Sequence, residues 1–133
     1  TKFINNYKLK EDYDFLVVDF HGEITSEKMA IGHFLDGKAT LVVGTHTHVP
    51  TNDVRILING TAYQTDAGMC GDYDSVIGMN KTNSLNRFLK KESKKHFPAE
   101  GNATLCGLIV ECNKSNGLAN KAEPFIFGGE LIK

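Results

Sequence analysis

Two histidines in H-x-H spacing stand in Gly44-Thr-His-Thr-His-Val-Pro50, and a third, His21, follows the apolar run Phe15-Leu-Val-Val-Asp-Phe20. Imidazoles on extended or turning backbone can be presented together to one metal ion or to two adjacent ions, and neutral imidazole is a common ligand of divalent transition metals. Each histidine taken singly reads as an ordinary surface or hydrogen-bonded residue. His21, His46 and His48 read as a ligand set once a fold carries them to one mouth. His33 and His96 fall on a helix and in a basic run and are read as structural or solvated.

The elements that must do the positioning are legible around them. Residues 15–20 form a short, nearly continuous apolar run, the pattern of a strand covered on both faces in an α/β sheet. Thr25 and Ser26 are placed to cap a helix with Glu27 in its first turn, Ala30/Phe34 and Ile31/Leu35 as an apolar stripe, and Gly37 as its stop. Residues 39–44 supply a second buried strand. Strand, helix and strand make a βαβ unit with parallel strands, whose carboxyl ends lie on one edge of the sheet, where open α/β sheets take ligands. His21 and the loop from Thr45 to Asp53 therefore emerge together.

Further along, residues 54–58 and 61–65 flank Asn59-Gly60, a pair suited to a two-residue hairpin turn. Residues 66–75 are rich in glycine and aspartate and read as a loop returning to the same edge. Leu85, Phe88 and Leu89 sit at helical spacing in residues 81–91, with Asn80 or Thr82 as cap. Residues 105–112 and 124–127 read as late strands, with residues 113–117 as the turn after the first. No repeat, linker or domain boundary is visible, so residues 1–133 read as a single unit.

Composition narrows the function classes. In 133 residues, 15 Lys+Arg balance 16 Asp+Glu to a formal charge of -1, and 41% of residues are hydrophobic. No global field draws such a chain to nucleic acid or an anionic membrane, and no apolar run approaches the roughly 20 residues of a membrane helix. Lys90, Lys91, Lys94 and Lys95 make a basic run that lacks interleaved stacking aromatics, so stable nucleic-acid binding is not expected. Cys70, Cys106 and Cys112 are odd in number and without C-x-x-C, which fits a reducing cytoplasm and free, mainly packing thiols. The sequence opens on Thr1 rather than methionine, and the reading expects residues upstream to have been removed or to belong to another piece.

Two readings stand for the glycine-rich loop: Asp66, Gly68, Asp72, Tyr73 and Ser75 shape the substrate side of a metal centre, or they form an ordinary loop. Asp19 and Glu23 flank His21 and are candidates to orient its ring. Thr45 and Thr47, alternating with the histidines, are expected to face away and hold the loop.

The strings Asp19-Phe-His-Gly-Glu-Ile-Thr-Ser-Glu-Lys28, Gly44-Thr-His-Thr-His-Val-Pro50, Thr65-Asp-Ala-Gly-Met69 and Tyr73-Asp-Ser-Val-Ile-Gly-Met79 resemble the C-terminal half of the calcineurin-like metallophosphoesterases, and more narrowly the bacterial YmdB-type phosphodiesterases. The resemblance runs from about Tyr13 to Val110. It implies half of an αββα sandwich and a centre of two divalent metals, iron, manganese or zinc, that clamp a phosphoester and activate a water. It further implies that His21 and His46 bind one metal and His48 the other, and that substrates include 2′,3′-cyclic nucleotides. The acidic ligands and the Asn-His pair that the family carries in its first half have no counterpart here. Three neutral imidazoles without a bridging carboxylate hold two dications poorly. The chain is therefore expected to contribute half a site, inactive until an N-terminal half docks with it. The alternatives are a non-catalytic family relic or a self-associating interaction domain, with a homo-oligomer covering the exposed sheet, and a single zinc held by three histidines and a water.

Overall fold

The computed structural model describes residues 2–131. A short helix α1 (Lys2–Asn6) precedes strand β1 (Val17–His21), helix α2 (Thr25–Leu35) and strand β2 (Leu41–Thr45). Strands β3 (Arg55–Ile56), β4 (Ala62–Gln64) and β5 (Gly71–Asp72), helix α3 (Lys81–Phe88), and the long strands β6 (Ala103–Cys112) and β7 (Ala119–Phe127) follow. One sheet has the order β1-β2-β4-β3, the other β5-β6-β7. β1, β2 and β4 run parallel, β3 is antiparallel to β4, and the second sheet is antiparallel throughout.

The expected βαβ unit is present, with Val17 to His21 in register against Leu41 to Thr45. β1 is, however, at the edge of its sheet, and alternate residues of the strand expected to be covered on both faces are exposed. Among the described residues it pairs only with β2, and Val17, Asp19 and His21 are exposed. α2 packs on the sheet through Leu35 and Ile31, around which Ala39, Val42, Leu57 and Tyr63 form the core. Ala30 and Phe34 face outward instead, and the buried positions of α2 are Lys28, Gly32 and Leu35. The helix has this rotation because the ring of Tyr63 fills the space where a side chain at position 32 would lie, 2.5 Å from an added Cβ. Ile24, not Thr25 or Ser26, is the N-cap, and it makes no side-chain capping bond.

The hairpin after β3 also differs from its expected form. Only Gly60 has positive φ, at 99°, while Gly60 N–H donates to Leu57 O and Leu57 N–H to Thr61 O. That is a three-residue loop closed by a left-handed glycine, not a two-residue turn. The glycine-rich segment contains the short strand β5, paired with β6. In α3 the cap is Asn80, whose side chain accepts from Asn83 N–H at 3.0 Å. Its buried residues are Asn83 and Ser84, while Leu85, Phe88 and Leu89 are exposed, so the expected apolar stripe does not face a core. Among the described residues, no helix is long and apolar enough to cross a membrane.

Candidate functional site

Parallel pairing sets the site. His21 is opposite Thr45 in the β1–β2 register, so His46 is the first residue past the strand end beside it. Close approach of the chain after β4 fixes the same edge. Gly44 O accepts from Ala67 N–H at 2.9 Å, and a Cβ at Gly44 would lie 1.8 Å from Thr65 O.

A relay of bonds sets the tautomer of His21. Thr45 Oγ1 donates to Asp19 Oδ1 at 2.9 Å, so its oxygen accepts at 3.1 Å from His21 Nδ1–H. The lone pair of His21 is thereby left on Nε2, which faces His46 Nδ1 at 3.5 Å, with the rings edge-on at a centroid distance of 5.2 Å. Two imidazole nitrogens each about 2.1 Å from one ion, at a tetrahedral angle, stand about 3.4 Å apart. The separation of the pair is close to that of two ligands of a shared divalent cation, and it is equally within reach of a hydrogen bond between the rings. Thr45, expected to face away, is instead the residue that orients His21, and Asp19 acts through it; Glu23 is exposed.

His48 is held differently. Its backbone is left-handed, with φ 64°, and its Nδ1–H donates to Ile77 O at 3.0 Å, which leaves Nε2 as the acceptor. A ligand imidazole anchored through one nitrogen to a carbonyl is a common metal-site arrangement. Nevertheless, the structure brings together His21 and His46 and does not gather all three rings. Among the described residues no group of three or more His, Cys, Asp or Glu side chains is arranged to hold a metal ion.

The link between the two histidines is pinned from beneath. Asp66, fully buried, accepts Thr47 N–H and Lys28 Nζ at 2.8 Å each on Oδ2, and Gly68 N–H at 3.0 Å on Oδ1. Burial pushes the Asp66 carboxyl up, but the bonds from Lys28, Thr47 and Gly68 outweigh it and hold the group below the ordinary carboxylate value. Lys28 was not distinguishable as a site residue by spacing, because its partner lies 38 residues away.

The other loop candidates are engaged within the loop. Asp72, buried, accepts from Asp74 N–H at 2.8 Å and Gly101 N–H at 3.0 Å. Ser75 Oγ bonds to Asp72 O and accepts from Gly78 N–H. Gly68 packs against Pro50 and the Tyr73 hydroxyl. That hydroxyl lies among Met69 N, Met69 O and Cys106 Sγ at 3.1–3.3 Å, and burial first, then the contact with Cys106, pushes its pKa up to about 12. The polar groups of these residues hold the loop's shape. Cys70, Cys106 and Cys112 are all free thiols, with Cys106 buried.

The chain is 43% identical over 116 residues to the 2′,3′-cyclic-nucleotide 2′-phosphodiesterase of Bacillus subtilis, covering 87% of itself and 44% of that protein. It is 46% identical over 110 residues to a putative phosphatase/phosphodiesterase of Mycoplasma genitalium, covering 81% of itself and 39% of the relative. The chain thus spans less than half the length of these curated relatives. A crystal structure of a novel phosphatase from Mycoplasma pneumoniae superposes with a TM-score of 0.83 at 39% identity, over 96% of this chain and 46% of the other. A hypothetical protein from Thermus thermophilus gives the same score at 38% identity, over 97% and 49%. The expected half of a phosphoesterase fold is what these superpositions contain. With the YmdB-like protein family's sequence model matching residues 1–125, the chain belongs to that family.

Proposed function

We propose that this chain supplies the histidine-bearing half of a metal-dependent phosphodiesterase acting on 2′,3′-cyclic nucleotides. The observation that carries the reading is the approach of His21 Nε2 and His46 Nδ1 to 3.5 Å at the carboxyl ends of parallel strands. His21 and His46 would hold one divalent ion and His48, through Nε2, a second; iron and zinc suit imidazole donors, and manganese would rely more on the oxygen ligands of the complementary half. When bound, the ions activate a water and neutralise charge on the phosphoryl oxygens. The chain's own part is to fix the donors. Asp19 and Thr45 keep the His21 proton on Nδ1, Ile77 O keeps the His48 proton on Nδ1, and Lys28 with Asp66 holds the backbone between His46 and His48. The loop through Asp66, Gly68, Asp72, Tyr73 and Ser75 shapes the substrate side of the site.

Acidic ligands and a proton donor for the leaving group come from a complementary half, on the same or a separate polypeptide, and the 133 residues alone hydrolyse phosphoesters little or not at all. Val17, Ile24, Met29 and Phe34, along the open β1 edge and the outer side of α2, are exposed. Apolar surface of this kind calls for cover. The complementary half covers it; a self-associating, non-catalytic module would cover it with a second copy. Hydrolysis of 2′,3′-cyclic AMP with manganese, measured for the chain alone and joined to the complementary half, tests the reading. Activity in the joined form that is lost in His46→Ala supports it; equal activity in His46→Ala contradicts it. A stable homodimer inactive under every condition would favour the module.

A further inference from the structure

Beside His48 lies a cavity of about 410 Å³ that the site described so far does not use. Its size is within the range of small-molecule sites, roughly 300–1,000 Å³. Val76, Ile77, Met79 and Phe88 give it an apolar wall, and Ser84, Arg87 and His96 add three polar groups. Among the described residues the Ser84 hydroxyl is buried with no hydrogen-bond partner, an arrangement that native structures rarely leave unanswered. Phe88 is 79% exposed, an aromatic ring standing at a rim rather than packed in a core.

A second observation ties this cavity to the histidines. Ile77 occupies φ 50° and Gly78 φ 87° in a two-residue turn closed by the reciprocal bonds of Val76 and Met79. A β-branched residue in the left-handed region is a genuine outlier, and such strain concentrates at ligand sites. The strained residue belongs to both places: its carbonyl accepts from His48 Nδ1–H, and the residue is part of the cavity lining.

We propose that this cavity is a nucleobase subsite, which takes the heterocycle of a nucleotide while the phosphoester lies at the histidines. An apolar wall with an aromatic rim, an arginine and an imidazole suits a planar ring that stacks and carries polar edge atoms. The proposal rests on the phosphodiesterase reading for its connection to the reaction, and the two are separable by experiment.

The first arm needs no activity. Adenosine, which has no phosphate, is titrated into the isotope-labelled 133-residue chain. The expected result is saturable shifts of the Ile77 and Met79 methyl signals, weakened about tenfold in Phe88→Ala, what loss of one stacking side chain costs. Absence of these shifts, or equal binding by Phe88→Ala and Arg87→Ala, overturns the subsite. The second arm compares kcat/KM for 2′,3′-cyclic AMP with that for 1-O-methylribose 2′,3′-cyclic phosphate, which has no base, in the chain joined to its complementary half. The ratio of the two values is expected to fall about tenfold in Phe88→Ala. A ratio that does not move overturns the subsite even where hydrolysis is fast. Adenosine binding with hydrolysis of neither ester would keep the subsite and reject the phosphodiesterase reading.

Discussion

Lys28 Nζ meets the Asp66 carboxylate at 2.8 Å with both side chains 1% exposed, and the same Oδ2 accepts the N–H of Thr47 between the two loop histidines. Taking both charges out of water consumes much of what their attraction returns, so such a pair is a weak source of net stability. Its value is geometric. One helix residue and one loop residue, far apart in sequence, fix the backbone that presents His46 and His48.

Removing one partner strands the other charge. Asp66→Asn is expected to destabilise the chain by about 3–5 kcal/mol in chemical denaturation. The double variant Lys28→Met/Asp66→Asn should lose clearly less than the sum of the two single changes. Additive losses would show that the pair is not coupled.

The same carboxylate gives a pH dependence. Its folded pKa lies below its ordinary value of 3.8, so its contribution to stability is complete above that value and is lost as pH falls through the lower, folded one. Acid unfolding of the wild type should therefore have a component below about pH 4 that Asp66→Asn lacks.

Thr45 transmits the effect of Asp19 to His21. Thr45→Val keeps the shape and removes the acceptor that sets the ring's tautomer, so affinity for manganese should fall about 10–100-fold. Calorimetric titration reads this directly, and an unchanged affinity would remove Thr45 from the site.

Tyr73 should ionise at about 12, against 10.0 for an ordinary phenol, in an ultraviolet titration. Because the fold favours the neutral phenol, the stability it contributes is present below pH 10 and declines as pH rises toward 12. Tyr73→Phe should abolish that decline.

The approach of His21 and His46 was legible because it depends on local facts: two apolar runs, a helix of the right length between them, and the parallel crossover that places strand ends on one edge. His48 was less so, since its left-handed backbone turns it toward Ile77 O, a partner 29 residues away that no spacing rule reveals. Lys28 was hidden for the same reason. The outward faces of α2 and α3 were misjudged because apolar spacing marks Phe34, Leu85 and Phe88 without saying whether this chain contains what covers them. Small polar residues won the buried positions of α3 instead. Asn83 is buried because its side chain bonds the backbone of Lys94 and Lys95.

Manganese titration of the chain joined to its complementary half, followed through the histidine ring signals, tests the central claim that His21 and His46 share a cation. Paramagnetic broadening should appear first on those two rings and vanish in both His21→Ala and His46→Ala. Rings that stay sharp while manganese binds elsewhere, or binding that survives in His46→Ala, would contradict it.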